Sequence, residues 1–222
     1  MKDREKGTIS VPRSLVEKLA LLGTPTIYEA LGKRGAMDFE IKPLKEDMKV
    51  CGSAFTVKCH VGDNLTIHYA LSIAERGVVL VVDAGGYKEA GAWGEIATVA
   101  AMARGIKGLV IDGAVRDSEA VCGYGFPLFA RAISMKGTAK KTLGDVNTQI
   151  MCGGVLIRPG DIIIGDRDGV VAVPLDKVKQ VYEKGRKREQ HEKEIMKRLR
   201  EGELTIDILD FRKIVEKEIQ SR

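Results

Sequence analysis

The residues that can do chemistry lie in two short stretches of this sequence. In DAGGYKEAGAWGE several glycines lead up to Glu95, and in IDGAVRD the charged residues Arg116 and Asp117 stand side by side. An arginine can bind a carboxylate or an oxyanion with a forked pair of hydrogen bonds. A carboxylate such as that of Asp117 can ligate a hard divalent cation. The second carboxylate, that of Glu95, can then act as a general acid or base.

The elements before these residues predict that they meet. The apolar run from Val78 to Val82 predicts a strand that leads into the glycine-rich loop, and Leu109 to Ile111 predicts a strand that ends shortly before Arg116. In an open parallel sheet, ligands bind in the crevice outside the carboxyl ends of the strands. We therefore expect Glu95, Arg116 and Asp117 to lie in one crevice.

A helix of small residues is predicted to begin near Gly94 and to end near Gly105. The first N–H groups of a helix have no partner within it, and together with the helix dipole they bind anions. The backbone N–H groups of Gly94, Glu95, Ile96 and Ala97 are therefore candidates to hold a phosphate or a carboxylate. The glycine spacing matches neither the Walker loop nor the G-x-G-x-x-G dinucleotide pattern.

The middle of the chain alternates strands with helices of about ten residues, which predicts parallel pairing with right-handed crossovers. The predicted elements are a helix over 65–76, a strand over 78–82, a helix over 95–104, a strand over 109–111, a helix over 117–123 and a strand over 127–130. A further strand is expected over 49–59. Residues 153–174 are rich in strand residues without a helical insert, so antiparallel hairpins are expected there.

Helices are predicted at both ends of the chain. The apolar spacing predicts one over 11–22, and Thr24 before Pro25 is typical of an N-cap that opens a short second helix. Asp176 is expected to cap a long charged helix that ends near Glu201, and Thr205 to begin a last helix. We take residues 1–222 as one domain of α/β class with a helical extension over about 176–222.

Composition excludes several classes of protein. The net charge is only +5 in 222 residues, and the basic residues of the C-terminal helix alternate with acids, so nucleic-acid binding is not expected. The sequence shows neither a signal pattern nor an apolar run of membrane-spanning length, and the cytoplasm is the expected location. The four cysteines have no spacing typical of a zinc site, and we expect reduced thiols.

Four other residues near the two stretches carry more than one interpretation. His68 lies on an apolar helix, which favours a structural role. Trp93 can line the pocket or pack beneath the loop, and Asp83 can support the site or cap the loop backbone. Lys88 is expected to be solvated or to contact substrate, and no lysine Schiff base is required.

The order of these motifs resembles a known family. GAWGE followed by RD within IDGAVRD is similar to the RraA-like class II pyruvate aldolases, which cleave 4-hydroxy-4-methyl-2-oxoglutarate or 4-carboxy-4-hydroxy-2-oxoadipate and decarboxylate oxaloacetate. Further similar segments are TPTIYEALGKRG, GDNLTIHYAL, GFPLFARA, GGVLIRPGDIIIGDRDGVVAVP and LREGE. The resemblance covers most of the chain. It implies a layered β/β/α swivelling fold, assembled as a homotrimer or a homohexamer.

The resemblance also implies roles for residues. Asp117 would bind Mg²⁺ or Mn²⁺, Arg116 would contact the keto-acid end of the substrate, and the N–H groups of residues 94–97 would hold the pyruvyl carboxylate. The family often has Asp at the position of Glu95. An acid of a neighbouring subunit's C-terminal helix would complete the site, either Glu192 or one of its neighbours Glu189 and Glu194. A non-catalytic regulator that binds a ribonuclease or another protein is the alternative function.

Overall fold

The structure, a computed structural model, describes residues 11–222, and its centre is a mixed sheet of eight strands beside a two-stranded hairpin. The strands are β1 (Lys42–Pro43), β2 (Val50–Lys58), β3 (Val79–Trp93), β4 (Gly108–Val115), β5 (Leu128–Ile133), β6 (Asp145–Val146), β7 (Ile150–Cys152), β8 (Val155–Ile157), β9 (Ile162–Asp166) and β10 (Gly169–Val173). The helices are α1 (Arg13–Leu19), α2 (Thr24–Ala30), α3 (Leu65–Ile73), α4 (Glu95–Ala103), α5 (Ser118–Gly123), α6 (Val178–Arg200), α7 (Thr205–Ile208) and α8 (Arg212–Gln220).

Four of the strands form the parallel part of the sheet, in the order β5-β4-β3-β2. Helices α3, α4 and α5 make the crossovers between them. The residues of β4 are all buried, as are Val79 to Val82 of β3, and such continuous apolar runs are typical of strands covered on both faces. The predicted parallel alternation of strands and helices is confirmed.

The remaining strands pair antiparallel. Strand β9 forms a hairpin with β10 and also pairs with the first residues of β2, from Val50 to Ser53, while β2 pairs with β3 from Ala54 onward. The hairpin of β7 and β8 forms a second, two-stranded sheet. A bridge between Ala36 and Val171 brings the two ends of the large sheet together, so that the sheet nearly closes. The antiparallel hairpins predicted after residue 153 are confirmed.

Three apolar clusters separate the layers. Successive residues of a strand point to opposite faces, so Leu80 packs against α3, α4 and α5, whereas Val81 packs between the sheet halves with Phe129 and Ile163. A third cluster joins β9 and β10 to α1, α2 and α6. The structure thus has the β/β/α layering that was predicted, with a further helical layer outside the hairpin.

Strand β3 is much longer than the predicted strand over 78–82, and the predicted loop belongs to it. It continues to Trp93 beside β4, with register shifts between the rungs Asp83/Asp112, Tyr87/Gly113, Gly91/Ala114 and Trp93/Val115. Gly85 and Gly86 have φ of 69° and 68°, a backbone conformation that residues with a side chain rarely adopt. These glycines break the alternation of apolar and polar residues from which a strand is predicted, but the chain continues as a strand to Trp93.

Details at the helix ends differ from the predictions. Gly23 is the N-cap of α2, and the Thr24 hydroxyl donates to Asp166 Oδ1 at 2.6 Å instead of capping the helix. Asp176 lies in a short 3₁₀ turn, and α6 starts after Lys177 without a side-chain cap. The last helix is two helices, because the chain turns at Asp210 with φ of 55°.

Two further predictions concern the whole described chain. All four cysteines are free, and burial raises the pKa of the Cys59 thiol to about 12. None of the helices in residues 11–222 combines the length and the apolarity that crossing a bilayer requires.

Candidate active site

Arg116 and Asp117 follow the last residue of β4, at the carboxyl edge of the parallel strands. The Arg116 N–H donates to the carbonyl of Trp93 at 2.8 Å and forms the last rung between β4 and β3. Asp117 then adopts the left-handed conformation, with φ of 54° and ψ of 37°, before α5 begins. Asp is among the few residues enriched in this conformation. The tight turn directs the carboxylate back towards α4.

Helix α4 begins at the same place. Asp117 Oδ2 accepts a hydrogen bond from the Glu95 N–H at 3.0 Å, so the carboxylate covers the first turn of the helix. The first backbone bond of the helix runs from the Thr98 N–H to the Gly94 carbonyl. The N–H groups of Ile96 and Ala97 therefore have no partner within the helix and lie at its positive end.

Gly94 allows the two segments to approach this closely. A Cβ added at this position would collide with the Asp117 carboxylate and would lie 3.0 Å from Arg116 Cγ. Its φ of −152° is open to any residue, so space alone requires the glycine.

Arg116 stays available for a ligand. Its Nε lies 3.4 Å from Asp117 Oδ2, and the two side chains are 43% and 38% exposed. No other ion pair of Arg116 occurs among the described residues. A half-exposed guanidinium beside one carboxylate keeps most of its five donors for a substrate.

The Glu95 carboxylate is held from the other side by α5. The hydroxyl of Tyr124, just after this helix, donates to Glu95 Oε1 at 2.7 Å. This hydrogen bond, together with the negative charge of Glu95, raises the pKa of Tyr124, so the phenol remains protonated at neutral pH. The sequence offered no signal for Tyr124, because the contact depends on where α5 ends.

These groups surround a small cleft of about 90 Å³ that opens onto a shallow groove of about 920 Å³. Glu95, Arg116 and Asp117 line both. The predicted convergence of these three residues in one crevice is therefore present in the structure.

The cleft has a second wall, which lies outside the two stretches on which the sequence prediction centred. It consists of Asn64 and His68 at the start of α3, with Thr138 and Lys140 from the segment after β5. His68, for which the sequence favours a structural role, is exposed and lines the cleft. It is one turn from Asn64, and this spacing within GDNLTIHYAL places both on one face of the helix.

The structure also places three other residues. Trp93 fits both of its alternatives: it packs in the core, 1% exposed, with its ring stacked on Phe126 and its Nε1 donating to Thr98 Oγ1 at 2.7 Å, and it also lines the cleft. Asp83 caps the loop backbone, because its Oδ1 accepts from the Gly85 N–H at 2.9 Å. Burial raises the pKa of this carboxyl. Lys88 forms an ion pair with Glu40 and does not line the cleft.

The donor set fits a divalent cation that is bound by few protein ligands. Asp117 lines the cleft, and its Oδ1 has no hydrogen-bond partner among the described residues. A carboxylate oxygen of this kind is a hard ligand. Residues 11–222 contain no group of three or more side chains placed to hold a metal alone. Mg²⁺ commonly uses one or two carboxylates and completes its shell with water and substrate oxygens.

Glu192 does not line the cleft within one chain. It is on α6, and its Oε1 is 2.8 Å from Arg188 Nε. Arg188 also reaches Glu29 of α2, at 3.9 Å, so two carboxylates lie near one guanidinium. Helix α6 packs on α1 and α2 beside the hairpin of β9 and β10, whereas the cleft is beside α4, on the other side of the sheet.

Cavities of about 850 Å³ at the amino ends of β3 and β4 and of about 590 Å³ between α2 and α6 lie elsewhere. Neither is lined by Arg116, Asp117 or Glu95. The small cleft is the candidate site because Glu95, Arg116 and Asp117 line it. The size of a cavity is not the criterion.

Comparison with known proteins identifies the family. Residues 24–172 match the sequence model of a family described as RraA-like, Aldolase/RraA. The chain belongs to this family. The matched segment of the RraA-like chain includes both walls of the cleft, and the family predicted from the sequence motifs is confirmed.

The relatives of this RraA-like chain include a protein named as an aldolase and proteins without an assigned activity. A protein of Halalkalibacterium halodurans is 35% identical over 92% of this chain and 95% of its own length, and its name gives 4-hydroxy-4-methyl-2-oxoglutarate aldolase as its expected activity. An uncharacterised protein from Pseudomonas syringae pv. tomato has a similar structure, with a TM-score of 0.78 and 30% identity over 87% of this chain and 96% of its own.

A third relative has a regulatory title. The structure of the RNA-processing inhibitor RraA from Thermus thermophilis matches with a TM-score of 0.63 and 28% identity, over 68% of this chain and 92% of its own. Proteins named for catalysis and for regulation thus share this fold. The choice between a catalytic and a regulatory function therefore depends on the residues of the site.

Proposed function

We propose that this chain is a divalent-metal-dependent lyase, a class II pyruvate aldolase. It cleaves a 4-hydroxy-2-oxo acid with two or three carboxylates into pyruvate and a second keto acid, and it decarboxylates oxaloacetate. The observation that carries the proposal is the hydrogen bond from the Glu95 N–H to Asp117, which holds a carboxylate and Arg116 against the start of α4.

The start of α4 binds the pyruvyl end of the substrate. The N–H groups of Ile96 and Ala97, with that of Gly94, donate to the substrate carboxylate, and the positive end of the helix dipole attracts its charge. The N–H of Glu95 donates to Asp117 and holds the cation ligand in place. The substrate is thereby oriented with its keto oxygen towards Arg116.

Asp117 holds the cation, Mg²⁺ or Mn²⁺, through its carboxylate. When bound, the cation supplies Lewis-acid polarisation of the 2-keto group. The chain itself contributes the negative charge of Asp117 at the cleft.

Proton transfer and bond cleavage follow from the other two side chains. Glu95 accepts the proton of the C4 hydroxyl, directly or through a water, while the C3–C4 bond breaks. The electron pair of that bond becomes the enolate of pyruvate, and Arg116 stabilises the developing oxyanion. Protonation of the enolate at C3 releases pyruvate. With oxaloacetate the same enolate forms when CO₂ leaves.

Tyr124 adapts the site to a glutamate. Glu95 is one methylene longer than the aspartate common in the family, and its carboxylate would otherwise sample several positions. The hydrogen bond from the Tyr124 hydroxyl restrains it, so the longer side chain can still present a fixed base.

We further propose that the site is shared between subunits of a homotrimer or homohexamer. The groove beside the cleft is wide, and the exposed Ile133 and Met135 lie on its wall. A neighbouring subunit can close this groove with the surface that carries Glu192 and Glu29. Either acid then completes the shell of the cation or acts on substrate.

The second candidate function is a non-catalytic regulator that binds a ribonuclease or another protein, and the likeness to the Thermus inhibitor supports it. Such a protein needs no carboxylate held at the end of a helix beside an arginine. A regulator would bind its partner and release no pyruvate, which separates the two functions.

The test compares pyruvate release from 4-hydroxy-4-methyl-2-oxoglutarate and from oxaloacetate by two variants. Asp117→Asn preserves the left-handed turn, since Asn also favours it, and removes the charge that binds the cation. We expect turnover to fall on the order of 100-fold or more. The control Asp176→Asn changes an exposed acid outside the cleft and should leave turnover unchanged. Equal activities of the two variants would contradict the proposal.

A further inference from the structure

Trp93 lies where the two stretches of the site meet the segment after α5. Its ring is 1% exposed and packs nearly parallel to that of Phe126, with the ring centroids 6.0 Å apart. Its carbonyl accepts a hydrogen bond from the Arg116 N–H at 2.8 Å, and the residue also lines the cleft. The backbone of Trp93 thus holds Arg116, and its side chain is left to serve another part of the site.

The indole of Trp93 holds the start of α4 through Thr98. Trp93 Nε1 donates to Thr98 Oγ1 at 2.7 Å, and this hydroxyl donates to the Gly94 carbonyl at 3.0 Å. Thr98 is fully buried. Because an indole N–H can only donate, the single hydroxyl proton of Thr98 goes to the Gly94 carbonyl, and the chain of hydrogen bonds has one direction. In a buried chain of this kind each hydrogen bond polarises the next.

The first turn of α4 depends on contacts from other residues. Gly94 is its N-cap, and a glycine has no side chain with which to cap a helix. Asp117 supplies one contact by accepting from the Glu95 N–H. The hydrogen bond between Trp93 and Thr98 supplies another from within the core. Together these contacts fix the turn whose unpaired N–H groups point towards a ligand.

We propose that the hydrogen bond from Trp93 to Thr98 positions the first turn of α4 for the carboxylate of the substrate. This inference rests on the proposed function, in which that turn binds the pyruvyl end. An N–H···O hydrogen bond is restricted to lengths of about 2.7–3.2 Å, so a small displacement of the turn weakens every bond to the carboxylate. Trp93 acts through the helix, because Thr98 uses its one polar side-chain group.

Loss of this hydrogen bond should affect substrate binding more than the chemical step. The pyruvyl carboxylate carries the same charge in the substrate and in the transition state, so its contacts contribute equally to both. Removing such a contact raises KM and leaves kcat largely unchanged. The pattern differs from that expected for Asp117→Asn, in which turnover itself falls.

The experiment measures the Kd of pyruvate by calorimetry, with Mg²⁺ present, for the wild-type protein, Thr98→Val and Thr98→Ser. Valine keeps the shape of threonine but leaves the indole N–H without its acceptor, whereas serine keeps the hydroxyl. We expect Kd for pyruvate and KM for oxaloacetate to rise about tenfold in Thr98→Val, which is the effect of one hydrogen bond. Both should return close to the wild-type values in Thr98→Ser.

Tryptophan fluorescence follows the hydrogen bond itself. The chain has one tryptophan, so this emission comes from Trp93 alone. An indole that loses its hydrogen-bond acceptor emits at a shorter wavelength, and we expect a blue shift in Thr98→Val that Thr98→Ser reverses. An emission spectrum that is the same in all three proteins would show that Thr98 does not hold the indole, and it would overturn the inference.

The matched control is Thr56→Val. Thr56 is also fully buried and its hydroxyl donates to the carbonyl of Thr148, but it does not line the cleft. The change should lower thermal stability, as Thr98→Val does, and leave the Kd of pyruvate unchanged. If Thr98→Val does not fold, Trp93→Phe takes its place, because it removes the same donor and keeps an aromatic ring against Phe126.

The outcomes separate the inference from the function on which it rests. An unchanged Kd in Thr98→Val, or an equal rise in Thr56→Val, would overturn the role of the hydrogen bond between Trp93 and Thr98. A Kd that Thr98→Ser does not restore would overturn it as well. A wild-type protein that binds no pyruvate would instead refute the proposed function itself.

Discussion

At the scale of single residues, the site depends on a close contact between two loops. Asp117 reaches the first turn of α4 because its left-handed conformation turns the chain sharply after β4. Gly94 leaves the space that the Asp117 carboxylate and the Arg116 side chain occupy. The alignment of Asp117, Arg116 and the start of α4 is therefore set by sterics as much as by charge.

Gly94→Ala tests this contact. The added methyl group would displace the Asp117 carboxylate, and a shift of about 1 Å at a catalytic group can cost about 100-fold in rate. We expect kcat/KM to fall by that order while the thermal melting curve remains cooperative. Gly123→Ala, in α5, is the control, since its Cβ would meet no atom within 4 Å. Similar activities of the two variants would show that the contact does not matter.

The sequence predicted Glu95, Arg116 and Asp117 because each lies next to a predicted strand or helix end. The two predicted stretches do not contain Asn64, Tyr124 or Lys140. These reach the cleft from α3, from the end of α5 and from the segment after β5, and only the packing of those elements brings them in. His68 also lines the cleft, and the apolar neighbours that favoured a structural role do not show which face of the helix it occupies.

At the scale of elements, a partly buried ion network joins the strands. The Arg131 guanidinium of β5 contacts Asp112 of β4, and also Asp38 at 3.0 Å and Glu40 at 2.7 Å. Asp112 Oδ2 accepts from the N–H of Gly153, between β7 and β8, at 2.8 Å. One arginine thus links two parallel strands, the second hairpin and the chain before β1.

Arg131→Met should destabilise the fold strongly. The change leaves Asp112, whose side chain is 12% exposed, without its cation. Removing one partner of a buried pair costs about 3–5 kcal/mol, which denaturant unfolding measures directly. The control is Arg167→Met, because Arg167 is 70% exposed and pairs with the exposed Glu46. An exposed pair contributes roughly 0–1 kcal/mol, and equal losses for both variants would contradict this account.

The elements themselves were largely predictable. Apolar runs such as Val79 to Val82 and turn residues such as Asp166 to Gly169 determine strands through local chemistry, and both hairpins and the parallel strands are present. The continuation of β3 to Trp93 was missed, since glycines that read as a loop are here bulges paired with β4. The predicted caps at Thr24 and Asp176 are wrong. The Thr24 hydroxyl binds Asp166 instead, and Asp176 lies in a 3₁₀ turn before the helix begins.

At the scale of the whole molecule, the chain exposes surfaces that a single copy does not cover. Helices α7 and α8 bury no residue, and Phe211, Ile214 and Ile219 are exposed. The groove beside the cleft is open as well. Both features support the proposed trimer or hexamer. The division of residues 1–222 into a single domain with a helical extension from about 176 stays a prediction.

Mixing two inactive variants tests whether subunits share the site. Asp117→Asn and Glu192→Gln should each be inactive alone, because each removes one of two acids at every site. Mixed oligomers, formed by co-expression, contain boundaries with both acids intact. Random assembly at equal amounts restores about a quarter of the sites. Recovered pyruvate release would support a shared site, and full activity of Glu192→Gln alone would exclude Glu192 from it.

The central claim is that the cleft at Arg116 and Asp117 cleaves a hydroxy keto acid with the help of a divalent cation. The most direct test is pyruvate release from 4-hydroxy-4-methyl-2-oxoglutarate by the wild-type protein, with Mg²⁺, after EDTA, and after Mg²⁺ or Mn²⁺ is restored. We predict turnover that EDTA abolishes and that either cation recovers. Turnover that persists in EDTA would contradict the role of the cation, and no pyruvate under any condition would contradict the aldolase function.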